Sequence, residues 1–160
     1  MKEIFRIMLM RNFPKLWLYR SLLSGDESYL RVTGWKESCS RGIPCRADGT
    51  VVPWMNYSVI SFLEKRLNKD LSLFEYGSGY STHFFSSLVG NVTSVEYDRT
   101  WYERISMDVA ENVKLMFVSN DNDGEYCRAI HRANERYDVV IVDGRDRVNC
   151  VKQALTRLTD

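Results

Sequence analysis

Histidine and proline are scarce in this chain, and no one sign of charge is in excess. Two histidines, His83 and His131, and the lack of any His-Glu, Ser-His or Cys-His motif leave out the common base-activated nucleophiles. Both read as surface or packing residues on helices. Lysine and arginine number 22 against 21 acids, a net charge of +1, so no long-range field would gather nucleic acid. Cys39, Cys45, Cys127 and Cys150 show neither C-x-x-C spacing nor a zinc-ligand grouping. That pattern points to a reduced, cytoplasmic protein with no metal site, in which Cys39 and Cys45 flank a short loop and would pair only if oxidised. No run of about 20 apolar residues exists, which excludes a membrane span. A secretory signal is excluded too, because Arg11 interrupts the first apolar stretch and no small-residue cleavage site follows. Repeats, charged tails and low-complexity runs are missing.

What is present is a 160-residue chain with 44% hydrophobic residues, enough to bury a core. Residues 1–54 read as an N-terminal helical and loop extension. Its first 23 residues mix apolar side chains with Lys2, Arg6, Arg11, Lys15 and Arg20 against Glu3 alone, and Pro14 predicts the start of a second helix. Two short helices packing on the domain are favoured there over a membrane-surface anchor. Residues 24–53 hold Gly25, Gly34, Gly42, Pro44, Gly49 and Pro53 and are expected to be irregular. Trp35, Trp54 and Tyr57 follow as packing residues or as walls of a pocket. Ile60, Leu63 and Leu67 have helical spacing and predict a helix from Tyr57 to Leu67 over one face of a sheet.

From there strand and helix alternate. Strands are predicted at 71–76, 92–97, 113–118 and 137–142. Helices follow at 80–89, from Thr100 to about Val109, at 125–135 and at 147–158. The alternation predicts an α/β, Rossmann-like doubly wound parallel sheet over residues 55–160. Ligands of such sheets bind at the carboxyl ends of the strands, where strand order reverses. Glu75, Glu96, Ser119 to Asp121 and Asp143 all fall at such ends.

The most informative stretch is Phe74-Glu75-Tyr76-Gly77-Ser78-Gly79-Tyr80-Ser81. An apolar strand runs into two glycines, which permit a tight turn and close approach of a ligand to backbone. A dinucleotide fingerprint would continue Gly-x-Gly-x-x-Gly, but Thr82 stands where the third glycine belongs. Glu75, expected at the mouth of the turn, opposes a pyrophosphate and suits a cationic ligand such as S-adenosylmethionine. Glu96 ends the next strand 19 residues after Gly77, the spacing at which an acid takes ribose hydroxyls in nucleotide-binding βαβ units.

These residues resemble the class I S-adenosylmethionine-dependent methyltransferases. The glycine turn is similar to the family's first motif, Val95-Glu96-Tyr97-Asp98 to its second, and Tyr137 to Gly144 to its fourth. Gly79-Tyr80-Ser81 and Asp143 with Arg145-Asp146-Arg147 look like segments of the catechol-type small-molecule O-methyltransferases. The resemblance implies a methyltransferase, with O-methyl transfer to a small-molecule or sugar-like acceptor. The alternatives are a cofactor-binding remnant without activity and, less favoured, an NAD(P)-binding oxidoreductase domain. Glu75 would receive the methionine ammonium, Gly77 and Gly79 would permit close approach, and Ser78, Tyr80 and Ser81 would bond the carboxylate end. Glu96 would hold the ribose diol, Tyr97 would lie beside the adenine, and Asp121, with Ser119 or Asn120, would reach the adenine edge or simply form a turn. Asp143 is the candidate catalytic residue, as base or orienting carboxylate. A magnesium ion is the catechol-type alternative, but one carboxylate is thin coordination for an octahedral ion. The family has seven strands, so the resemblance also implies a sheet truncated after its fourth strand, with that strand's edge open to self-association.

Overall fold

The computed structural model describes residues 2–119, 121–132 and 135–159. They form two compact units, 1–52 and 53–160.

The first unit is helical. α1 (Lys2–Asn12) and α2 (Pro14–Leu23) pack as a hairpin, with Pro14 at the first turn of α2, where its missing N–H costs nothing. Two more short helices follow, α3 (Tyr29–Val32) and α4 (Trp35–Arg41). The segment expected to be irregular is therefore partly helical. Its glycines do not break helices but separate them: Gly34 sits at φ +85° between α3 and α4, where a Cβ would run into the Cys45–Arg46 backbone. The buried Ser38 hydroxyl lies 2.9 Å from both the Gly34 and the Cys45 carbonyl oxygens, which share its one hydrogen, and accepts the Cys45 N–H, tying α4 to the strand-like turn at Cys45 and Val51. All four cysteines are free thiols.

The second unit opens with α5 (Tyr57–Glu64), whose N-terminus is capped by Asn56 accepting the Val59 N–H at 2.9 Å. Four strands follow: β1 (Ser72–Tyr76), β2 (Asn91–Glu96), β3 (Val113–Phe117) and β4 (Val139–Val142). They form one parallel sheet in the order β3-β2-β1-β4. Between them lie α6 (Tyr80–Leu88), α7 (Arg99–Ser106) and α8 (Glu125–Arg128) with a 3₁₀ turn over Ala129–His131, and α9 (Arg147–Ala154) follows β4.

Side-chain alternation along β1 sets the two layers. Phe74 and Tyr76 point to one face, into a core with Tyr126, Cys127, Ile130 and Cys150 from α8, the 3₁₀ turn and α9, and with Tyr137 just before β4. Glu75 points to the other face, where Ser81 and Thr82 of α6 meet it. Tyr76 donates its hydroxyl to the Cys127 carbonyl at 2.6 Å, which locks α8 onto the sheet. The carboxyl end of α6 is satisfied from outside the helix. Lys69 donates to the Ser86 and Val89 carbonyls, and the Asn112 amide bonds the same two groups and that of Gly90.

The predicted elements recur with shorter ends. The expected helix at 125–135 stops at Arg128 and tightens to 3₁₀, and residues 133–134 lie outside the described set. β4 begins at Val139 because Tyr137 turns aside to bridge Leu158, and the Asp138 carboxylate accepts the Ser72 N–H and hydroxyl instead. The same bridge ends α9 at Ala154 rather than Leu158. β4 is half-buried: among the described residues it pairs with β1 alone, and its outer edge has no strand beside it.

Candidate functional site

The sheet's order reverses between β1, which leads out to β2 and β3, and β4, which lies on the other side. At the carboxyl ends of these strands a cavity of about 540 Å³ opens. Its walls are the β1–α6 loop (Gly77 to Ser81), the end of β2 (Glu96 to Asp98), Trp101 on α7, the β4–α9 loop (Asp143 to Arg147), and Pro53 with Trp54.

Gly77 is required by the fold itself. It has φ +95°, and a Cβ there would lie 2.9 Å from the Gly144 backbone and 3.2 Å from the Asp143 carbonyl carbon. The β1 and β4 ends approach so closely because Gly77 and Gly144 face each other without side chains. Gly79 differs. Its backbone is extended, and a Cβ would meet only the Trp101 ring at 3.7 Å, an ordinary contact. What Gly79 contributes is space on the cavity side.

Two carboxylates hold the glycine turn from below. Glu96 is 3% exposed and accepts four bonds. Its Oε2 takes the Ser78 N–H (3.0 Å) and hydroxyl (3.1 Å), and its Oε1 takes the Tyr97 and Asp98 N–H groups. Glu75 is not at the mouth of the turn, as the sequence suggests. It is fully buried on the face under α6 and does not line the cavity. The reason is strand alternation: Glu75 lies between Phe74 and Tyr76, which both face the apolar core, and in register with Ser94. Its carboxylate accepts the hydroxyls of Ser81, Thr82 (2.6 Å) and Ser94 (2.8 Å). Thr82 in turn accepts the Gly79 N–H at 3.0 Å. Burial pushes the Glu75 carboxyl up to about 7 despite these three donors, with the nearby Asp143 charge adding to the effect.

Ser78, Tyr80, Ser81, Glu96, Tyr97 and Asp143 do line the cavity with Gly77 and Gly79. Asp121 does not. It accepts the Glu125 and Tyr126 N–H groups at the start of α8, bonds that hold its carboxyl below the usual carboxylate range. Its role here is a helix cap; Ser119 is likewise away from the cavity, and Asn120 lies outside the described residues. Asp143 is paired with Arg147 at 2.7 Å, four residues on.

Sequence reasoning left out several residues of the wall, Trp101, Arg145 and Arg147 among them. The Trp101 indole N–H donates to the Ser78 carbonyl at 2.8 Å and packs edge-on to Tyr80. Arg145 donates to the Tyr97 hydroxyl at 3.0 Å with its guanidinium 5.5 Å from that ring's centre, and Arg147 holds Asp143. The signal for Trp101 was Asp98, which caps α7 by accepting the Trp101 N–H and so turns the first helical turn toward the loop. Asp146, at φ +48°, pins the β4–α9 loop by accepting the Asp123 N–H and the Asn149 amide. No group of three or more His, Cys, Asp or Glu side chains among the described residues is placed to hold a metal ion.

Three solved structures share this architecture. One is a methyltransferase-like protein of Silicibacter pomeroyi, at TM-score 0.55 and 26% identity, over 67% of this chain and 68% of that one. The second is a precorrin 8W decarboxylase of Methanobacterium thermoautotrophicum, at 0.53 and 16%, over 74% and 65%. The third is an rRNA methylase of Streptococcus thermophilus, at 0.50 and 17%, over 68% of each chain. The chain has the class I S-adenosylmethionine-dependent methyltransferase fold. It spans about two thirds of the length of each of these proteins. No protein-family model and no curated protein sequence matches it. In this methyltransferase fold the cavity occupies the crevice outside the carboxyl ends of the strands, the position where open α/β sheets take their ligands.

Proposed function

We propose that the chain binds S-adenosylmethionine in this cavity and takes part in methyl transfer to an oxygen of a small-molecule or sugar-like acceptor. The observation that carries the reading is the Glu96 carboxylate. It ends β2 at the cavity wall, tied to the Gly77–Gly79 loop by Ser78. A carboxylate so placed accepts a vicinal diol and repels a phosphate. All four of its acceptor positions are filled by the chain's own donors, three of them backbone N–H groups that cannot leave without moving the loop. The Ser78 hydroxyl is the one that rotates away and frees Oε2 for a ribose hydroxyl.

The other residues follow from position. Tyr97, with Arg145 against it, presents a ring for the adenine. The loop N–H groups and the Tyr80 and Ser81 hydroxyls lie where the amino-acid end would reach, and Glu75 acts through Ser81 and Thr82 rather than on the ligand. The bound sulfonium would supply an activated methyl group, so alignment of the acceptor carries much of the rate. Asp143 is the carboxylate at the β4 end able to orient an acceptor hydroxyl or take its proton, and Arg147 holds it in position. The residues present do not fit a magnesium ion, since Asp143 is bonded to a guanidinium and belongs to no group of three or more ligating side chains among the described residues.

Calorimetry with S-adenosylmethionine and its demethylated product tests the proposal. Binding that Glu96→Ala weakens by ~1–3 kcal/mol, the worth of hydrogen bonds to a charged group, is the expected result. Tight NADH binding with no response to S-adenosylmethionine overturns it.

A further inference from the structure

Ten of the twenty large apolar side chains exposed among the described residues lie between positions 4 and 23, on α1 and α2 and the turn joining them. α2 buries no residue at all. Among the described residues of the two helices only Leu9, Trp17, Ser21 and Leu22 are even half-buried, and the others face solvent. On α1 the exposed set is ordered. Ile4, Ile7 and Met8 line one shallow groove with Arg11, the spacing of a single helix face, and Ile4 is 74% exposed.

The charge of this segment is as one-sided as its apolar surface is exposed. Five basic residues stand against Glu3 between positions 2 and 23, in a chain whose net charge is +1. Among the described residues Arg6, Arg11, Lys15 and Arg20 have no carboxylate partner. Arg6 and Arg20 border a second cavity whose apolar wall is Phe5, Leu9 and Trp17; Asp26, paired with Arg31, and Glu27 line it as well, beyond the end of α2. Exposed aliphatic side chains, interleaved unpaired cations and an indole beside guanidinium groups suit one surface, where hydrocarbon begins a few ångströms beneath anionic headgroups. Neither helix can cross it. Eleven residues reach about 16 Å at 1.5 Å per residue, against a hydrocarbon core of about 30 Å.

We propose that the α1–α2 hairpin docks on an anionic lipid bilayer. α1 lies in the interface plane with Ile4, Ile7 and Met8 in the acyl boundary, and Arg11, Lys15 and their basic neighbours reach the headgroup phosphates. The inference is independent of what the cavity in the second unit binds.

Co-sedimentation of the full chain with lipid vesicles tests it. The chain should pellet with phosphatidylcholine vesicles containing about a third phosphatidylglycerol and stay in solution with phosphatidylcholine alone. Raising salt from about 0.1 M to about 0.5 M shortens the screening length from about 10 Å to about 4 Å and should release it. Ile4→Ser with Ile7→Ser and Met8→Ser should abolish pelleting. Arg11→Glu with Lys15→Glu keeps the apolar face and should weaken binding at least ten-fold, at about five-fold for each basic charge removed. Circular dichroism and thermal unfolding separate loss of docking from loss of fold, and the charge variant decides the matter if the apolar variant does not fold. No pelleting with anionic vesicles, or pelleting that both variants retain, overturns the proposal. So does a dimer in sedimentation velocity that ignores vesicles and that the serine variant dissociates.

Discussion

Glu75→Gln should stabilise the protein in a pH-dependent way, and the size follows from where Glu75 sits. An ordinary glutamate titrates near 4.5, and burial under α6 pushes Glu75 up to about 7. The folded state therefore holds this proton more tightly than the unfolded chain does. For a carboxyl raised in this way, its contribution to stability is fully present below 4.5 and is lost as pH rises through 7. At about 1.4 kcal/mol per pH unit between the two values, the loss is of order 3 kcal/mol. Glutamine has almost the same shape and nothing to titrate. Its carbonyl can keep the Thr82 and Ser94 hydroxyls that Oε2 accepts, and its NH₂ meets Ser81, whose hydroxyl turns round to accept. Urea unfolding of both proteins from pH 4 to pH 8 measures the difference, in which every other carboxyl cancels. Glutamine should be neutral or slightly destabilising at pH 4 and should gain roughly 3 kcal/mol on the wild type by pH 7.5. Two stability curves that run parallel over this range would refute the burial argument.

Gly77→Ala should cost about 2–4 kcal/mol and abolish S-adenosylmethionine binding, because positive φ and a 2.9 Å approach to the Gly144 backbone coincide there; thermal unfolding and calorimetry read both. Gly79→Ala, with an extended backbone and a 3.7 Å contact, should leave the melting temperature nearly unchanged and weaken only ligand binding. Ser78→Ala should keep or tighten S-adenosylmethionine affinity if the hydroxyl has to leave Glu96 on binding, and a ten-fold loss in calorimetry would show that it contacts the ligand instead. Asn112→Ala removes an amide that serves three carbonyls at the end of α6 and should cost ~1–3 kcal/mol in urea unfolding, with no change in ligand affinity.

The alternation of apolar strands with amphipathic segments, the glycine turn and the acid 19 residues later are local patterns, and each appears in the structure where the sequence predicts it. Parallel strands covered by helices leave continuous apolar runs, as Val139 to Val142 does even though β4 ends up only half-buried, and a tight strand-to-helix turn needs glycine at Gly77 whatever surrounds it. That is why the architecture, the position of the cavity and the membership of Gly77, Glu96 and Asp143 in its wall were legible from residue order. The ends of elements were not, because Tyr137 and Leu158, 21 positions apart, decide where β4 starts and α9 stops. Nor were the partners of each side chain. Spacing placed Glu75 near the turn, but only the pleat of β1, in register with Ser94 and covered by α6, turned its carboxylate away from the ligand. Trp101 and Arg145 enter the wall through a helix and a loop that tertiary packing delivers, and Asp121 leaves it because the nearest unsatisfied N–H groups are those of α8. Short-range periodicity is a property of the chain, whereas the direction of a side chain and the donors it meets are set by neighbours far along it.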